Sequence, residues 1–252
     1  MIGVIIFLLG LALGSFFNVC IYRIPIDKSI VFPPSHCTSC NNRLKAKDLV
    51  PVFSYIFLKG KCRYCKSKVS IRYPFVELLT GLMYLISYLV FGLSWSLLIS
   101  LVFVSLLLII TFTDLDHMII PDEIILVGLI AALVYQLVRI TPVDYFDAII
   151  GLLVGGGSFL LIALLSKLIL KKEGMGGGDI KLMAMIGATI GWKLTVLTIF
   201  LSAYIAAILG GGMILLKIKK KGQYLPYGPF IAIAAIVALY WGNDIINWWL
   251  GM

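Results

Sequence analysis

Ser35-His36-Cys37-Thr38-Ser39-Cys40-Asn41-Asn42-Arg43 and Gly60-Lys61-Cys62-Arg63-Tyr64-Cys65-Lys66-Ser67-Lys68 place two Cys-x-x-Cys pairs in a basic, polar insert flanked on both sides by apolar segments. A Cys-x2-Cys…Cys-x2-Cys pattern is the spacing of a tetrahedral four-cysteine zinc site, with Cys37, Cys40, Cys62 and Cys65 as ligands. Thiolates stay free for zinc mainly in a reducing compartment, which puts the insert in the cytoplasm. The insert, Arg23 to Arg72, also holds eleven of the 21 Lys and Arg, so the positive-inside rule gives the same side independently. Four thiolates leave no open coordination position, and zinc is expected to be structural, replacing a core that so short an insert cannot build. A metal-free tetrad or regulatory disulfides are the alternatives.

Outward from the insert the chain is membrane-like. Of 252 residues, 61% are hydrophobic and 13% charged, and mean hydropathy is +1.06; an ordinary soluble domain is excluded. The net charge of +9 does not point to nucleic acid, because the basic residues cluster in the insert, at Lys171-Lys172 and in Lys217, Lys219, Lys220 and Lys221. Loops facing an anionic leaflet have that distribution. Met1 to Tyr22 is apolar and its first positive charges follow it, the reverse of a cleaved signal peptide; it reads as a retained span with its N-terminus outside. Cys20, the fifth cysteine, reads as a packed thiol.

Apolar length predicts eight spans, near 2–22, 73–91, 95–113, 122–139, 146–170, 179–191, 194–216 and 228–249. Parity then puts both termini outside, and the insert, 114–121, 171–178 and 217–227 inside. Seventeen of the 21 Lys and Arg fall in those inner segments. Merging 179–216 into one helix would send the last basic run outside, so charge favours eight. The expected fold is an all-α integral membrane protein of about eight transmembrane helices, with a small cytoplasmic tetracysteine insert between the first two. Its parts are a first helix (1–22), the insert (23–72) and a membrane domain (73–252). No internal repeat is evident.

Acids at the edges of spans are costly and therefore informative. Five of the 12 acidic residues fall in two places: Thr113-Asp114-Leu115-Asp116-His117-Met118-Ile119-Ile120-Pro121-Asp122-Glu123, and Gly174-Met175-Gly176-Gly177-Gly178-Asp179-Ile180-Lys181. By parity Asp114 ends an inward span and Asp179 begins an outward one, so both lie at the cytoplasmic boundary and can meet across a bundle. Two carboxylates that close cannot both ionise; together they supply an acid and a base, able to activate water against a peptide carbonyl. Gly176, Gly177 and Gly178 would let an extended peptide backbone approach the second acid and permit unusual backbone angles. The plainer reading of Asp179 is a helix N-cap, and of Asp122 and Glu123 a helix start after Pro121. Ion handling is open as well. Glu77, near the inner end of the second span, either joins the acidic cluster or pairs locally. His36 and His117 read as solvated loop residues.

Together these features resemble the type IV prepilin peptidases, membrane aspartyl proteases of the Gly-x-Gly-Asp class. Gly14-Ser15-Phe16-Phe17-Asn18-Val19-Cys20-Ile21-Tyr22-Arg23-Ile24-Pro25 is similar to the family's opening motif. Pro33-Pro34-Ser35-His36-Cys37-Thr38-Ser39-Cys40 is similar to the entry of its zinc domain, and Arg72-Tyr73-Pro74-Phe75-Val76-Glu77-Leu78-Leu79-Thr80-Gly81 to the start of its second span. Gly176-Gly177-Gly178-Asp179 is similar to the signature that names the class. In that family a Pro-Asp or Pro-Asn pair follows the first catalytic aspartate by seven positions. Counting back from Pro121 gives Asp114, with Asp116 the close competitor; the second role falls to Asp179, with Gly176, Gly177, Gly178 and Glu77 in support. The resemblance implies cleavage of prepilins and pseudopilins after a short basic leader, at the cytoplasmic face of a bacterial inner membrane. It also implies N-methylation of the new N-terminus with S-adenosylmethionine, for which the chain shows no glycine-rich dinucleotide fingerprint. An ion-coupled transporter using the same aspartates is the rival from another class, and a zinc-bearing membrane scaffold a third reading.

Overall fold

The computed structural model describes residues 1–138, 143–171, 174–215 and 225–251. Arg139, Lys172 and the basic run Lys217–Lys221 lie outside the described residues. Among those described the protein is helical, with no β-strand and only two isolated bridges. The chain divides into two compact units, Met1–Leu97 and Leu98–Met252.

In the first unit α1 (Ile2–Arg23) packs against α3 (Arg72–Phe91). Lipid offers no hydrophobic drive for helices to associate, so close backbone approach between small residues has to supply it. A Cβ on Gly10 would stand 2.7 Å from the Gly81 Cα, and one on Gly14 2.8 Å from the Glu77 Cα. One turn further, Asn18 Nδ2 donates to the Gly14 carbonyl at 3.2 Å and to the Tyr73 carbonyl at 3.1 Å, tying the two helices together.

The insert between them carries α2 (Phe53–Phe57) and two backbone knuckles. The knuckles repeat at an interval of twenty-five residues. Cys37 N–H donates to Asn42 O as Cys62 N–H does to Ser67 O, and Asn41 N–H to Cys37 O as Lys66 N–H to Cys62 O. Leu44 N–H donates to Ser35 O as Val69 N–H to Gly60 O. The bridges His36–Arg43 and Lys61–Lys68 match too, and so do the left-handed residues Asn41 (φ 56°) and Lys66 (φ 61°). The repeat that the residue identities do not announce is thus present in the backbone of the insert.

The second unit contains most of α4 (Trp95–His117), then α5 (Asp122–Val138), α6 (Tyr145–Leu165, followed by a π-helical turn), α7 (Gly177–Leu215) and α8 (Gly228–Leu250). Among the described residues six helices are long and apolar enough to cross a membrane, against eight expected, and the difference has two sources. Helix α5 has 17 described residues, short of the roughly 20 that span a bilayer untilted. The expected spans at 179–191 and 194–216 form one element, α7, interrupted at Gly191 (φ 78°, ψ 169°).

That interruption is a reversal. A side chain at Gly155 of α6 would touch both the Met183 carbonyl and Thr195 Cγ2, so these atoms lie within about 6 Å of each other. Twelve residues of straight helix would separate them by about 18 Å. The two arms of α7 therefore fold back on each other, as two spans would. Glycines again make the seam: a Cβ on Gly151 would overlap the Gly187 carbonyl, and one on Gly187 the Gly151 carbonyl. Thr189, Thr195 and Thr198 return their hydroxyls to carbonyls four residues back at 2.7–2.9 Å, so these three hydroxyls are satisfied within their own helix.

Candidate active site and metal centre

Helix α4 ends in Thr113-Asp114-Leu115-Asp116-His117 and closes in a left-handed residue, Met118 (φ 54°), whose N–H returns to Asp114 O at 2.9 Å. Asp114 and Asp116 lie on opposite faces of the helix, and the structure separates them: Asp114 is 5% exposed, whereas Asp116 is at the surface. Helix α7 begins two residues before Asp179, on the same side of the unit. The Asp114 and Asp179 carboxylates lie close enough for the charge of one to act on the other.

Asp114 Oδ2 accepts the Gly228 N–H at 2.9 Å, while the Asp179 carboxylate faces the Gly176 backbone. Asp179 stands inside the first turn of α7 rather than at its cap. A cluster of aromatic rings backs the pair. Tyr227, packed against the tilted rings of Phe159 and Phe230 with centroids 6.1 Å away in each case, meets Ser202 Oγ through its hydroxyl at 3.1 Å and lies within electrostatic reach of Asp179. Next to Asp114, the wholly buried Thr113 hydroxyl has no hydrogen-bond partner among the described residues.

The three glycines are not equivalent. None has a positive φ, so the unusual backbone angles expected of them are not used. A Cβ on Gly178 would come within 2.9 Å of Ile120 Cβ, which makes this glycine the point where α7 rests on the α4–α5 turn. A Cβ on Gly176 would stand 3.2 Å from Asp179 Oδ2, and one on Gly177 would meet nothing within 4 Å. Lys181 Nζ lies 2.7 Å from both Asp122 carboxylate oxygens, tying the first turns of α5 and α7 together. Asp122 thus does more than start a helix. Sequence reasoning missed Gly228 and Tyr227; Pro226-Tyr227-Gly228-Pro229 at the head of the last span was the available signal.

Glu77 belongs to the first unit and has local partners there. Its Oε2 accepts the Val52 N–H at 2.7 Å, and Ser15 of α1 lies within electrostatic reach of the same carboxylate. Val52 (φ 61°, ψ −51°) is the centre of a γ-turn closed by Phe53 N–H on Pro51 O, a costly conformation for a β-branched residue.

In the insert the sulfurs of Cys37, Cys40, Cys62 and Cys65 all lie within 4.8 Å of one another, with Cys37 and Cys65 at 3.8 Å. Four thiolates about 2.3 Å from one ion in a tetrahedron stand about 3.8 Å apart, so the donor set fits a tetrahedral thiophilic metal. The N–H groups of Ser39 and Cys40 pull the Cys37 thiol down to about 6, favouring the thiolate that a metal needs. Around the second pair, Asp48, whose side chain is 3% exposed, holds the Cys62–Cys65 loop through Arg63 Nε at 2.5 Å and the Tyr64 hydroxyl at 3.1 Å.

An all-α membrane protein with two converging carboxylates and a separate tetrathiol centre is the class so far defined. Residues 8–91 match the bacterial peptidase A24 N-terminal domain and residues 101–211 the type IV leader peptidase family. The chain is 38% identical to a prepilin leader peptidase/N-methyltransferase of Bacillus subtilis strain 168, over 98% of each chain. It is 36% identical to proteins of the same name from Aeromonas salmonicida, over 98% of this chain and 93% of the relative, and Pseudomonas aeruginosa, over 96% and 91%. No solved structure matches it. The chain belongs to the type IV leader peptidase family.

Proposed function

We propose that this protein is an aspartyl endopeptidase that cuts the short basic leader from type IV prepilins and pseudopilins at the cytoplasmic face of a bacterial inner membrane. The observation that carries the reading is the approach of Asp114 and Asp179 from two different helices in a chain of this family. A water held between the carboxyls attacks the scissile carbonyl carbon. The ionised carboxylate takes the proton from water while the protonated one donates to the carbonyl oxygen. Collapse of the tetrahedral adduct breaks the C–N bond, and the amine leaves with a proton from the dyad. Gly228 N–H fixes one oxygen of Asp114, which leaves the other for the shared proton or the water. The apolar stretch of the substrate is recognised by packing within the bilayer.

The topology that goes with this reading has both termini outside and the insert inside, in line with its eleven basic residues. Zinc is the metal we assign to the four thiols, in a structural role. By the names of its relatives and its resemblance, the protein also methylates the new N-terminal amine, with S-adenosylmethionine supplying the methyl group and the 23–72 region associated with that activity. No residue of this chain is assigned to the methyl donor.

Cleavage of a prepilin by the protein reconstituted in vesicles tests the peptidase reading. Asp114→Asn and Asp179→Asn should each abolish cutting with zinc content and thermal stability retained, because Asn keeps shape and hydrogen-bond acceptance but not the ionisable group. Asp116→Asn should cut at close to the wild-type rate. Retained cutting in both of the first two variants would return these aspartates to a capping role.

A further inference from the structure

Among the large apolar side chains that the insert exposes, two groups stand out. Val31 and Phe32 are 67% and 73% exposed, and Phe53, Ile56 and Phe57 of α2 are 52%, 62% and 81% exposed. The latter three, at i, i+3 and i+4, form one helical face; Ser54 and Tyr55 turn the other way and are half-buried. Soluble surfaces seldom leave so much aromatic area in water.

Both patches are pinned to the end of a membrane span. Arg23, buried at the last position of α1, donates from Nη1 to Ser29 O at 2.9 Å. Ser29 Oγ in turn accepts the Val31 and Phe32 N–H groups at 3.2 Å. Likewise Glu77, about 8 Å along α3 from its start, accepts the Val52 N–H that leads directly into α2. A five-residue helix is only about 8 Å long, so Phe53, Ile56 and Phe57 cannot leave the neighbourhood of the span that anchors them. Charge agrees: residues 23–72 carry eleven Lys and Arg against two acids, Asp27 and Asp48. Lys45, Lys47, Lys59 and Lys61 stand on either side of α2 in sequence. An apolar face bordered by cations is what binds the headgroup region of an anionic leaflet.

We propose that the insert is a membrane-resting module: Val31 and Phe32 on one side, and the Phe53, Ile56 and Phe57 face of α2 on the other, enter the headgroup–acyl boundary of the adjacent leaflet. The fixed hydrogen bonds from Arg23 and Glu77 set their depth. This goes beyond the peptidase reading and does not depend on it.

The experiment uses the full-length protein in vesicles of phosphatidylethanolamine and phosphatidylglycerol, with p-benzoylphenylalanine placed at Phe32, at Phe57, or at Tyr64 on the metal-bearing knuckle. On irradiation the first two positions should give phospholipid adducts in several-fold excess over Tyr64, read by mass spectrometry, with full zinc content as the check on folding. Cross-linking mainly to a second copy, cross-linking to added prepilin with no lipid adduct, or adduct no higher than at Tyr64 would each overturn the proposal. A second readout needs no photoprobe. Phe32→Asp with Phe57→Asp should keep the metal yet speed protease cutting of the insert on vesicles; an unchanged rate overturns it as well.

Discussion

Between residues 24 and 71 the only buried apolar residue is Cys62. The second unit, by contrast, wholly buries Leu107, Ile110, Leu182, Met183, Met185 and Ile186 and closes α6 on α7 with glycine backbone against glycine backbone. The insert holds its shape by bringing four sulfurs to one point, and the second unit by contact along whole helices. If a metal takes the four thiols, the first shape depends on a single binding event whose loss is all-or-none. The other is distributed, and its weak points are those places where a single methyl group has no room.

The largest expected effect separates these two modes of support. Structural zinc contributes roughly 10–16 kcal/mol to small thiolate modules, far more than any side chain in the insert. Stripping the metal with a chelator, or Cys62→Ser, should therefore unravel the insert: limited proteolysis would cut within residues 28–70 while the helices of the second unit stay protected. If the second unit loses protection in step, the two regions are not independently supported.

Next come the glycine seams. Gly151→Val or Gly187→Val would drive a side chain into the opposite carbonyl, an overpacking cost of about 3 kcal/mol or more where backbone must move. The expected result is a sharp fall in thermal stability in detergent with zinc content intact, the converse of the chelation result. A smaller effect is expected at the aspartate site. Gly178→Ala has to push Ile120 away and would displace the start of α7, costing about 1–3 kcal/mol, or roughly 5- to 150-fold in kcat/KM if the whole cost falls on the transition state. Gly177→Ala meets nothing within 4 Å and should cut prepilin within about 2-fold of wild type. Equal losses at both positions would mean that the peptide substrate, rather than Ile120, occupies the space beside these glycines.

These contrasts also mark how far the sequence could be read. Cys-x-x-Cys spacing is local, so the four sulfurs were legible together, and all four lie within 4.8 Å of one another. Parity and charge led to the expectation that Asp114 and Asp179 share one boundary, and the break expected between 191 and 194 falls at Gly191. What stayed hidden depends on backbone groups and remote partners. Gly228 contributes an N–H across 114 residues of sequence. Gly178 serves as packing space for Ile120. Asp122 reaches Lys181, and Glu77 holds Val52. No hydropathy period or motif encodes such pairings, because each depends on which helix ends the fold brings together.

The smallest effect sharpens the comparison from inside the insert. Its two knuckles share their hydrogen bonds and both require a left-handed residue after the second cysteine, yet one uses Asn41 and the other Lys66. Asn tolerates that conformation better than a long unbranched side chain does, by a fraction of the roughly 1–2 kcal/mol per residue that separates left- from right-handed backbone. Lys66→Asn should therefore tighten metal binding by about 0.5 kcal/mol, slightly over 2-fold in a zinc competition titration, and Asn41→Lys should loosen it by a similar amount. Neither change should alter the thermal stability of the second unit. If Lys66→Asn weakens the metal, the Lys66 side chain is contributing a contact that outweighs its strained backbone, and the two knuckles are alike in geometry but not in what stabilises them.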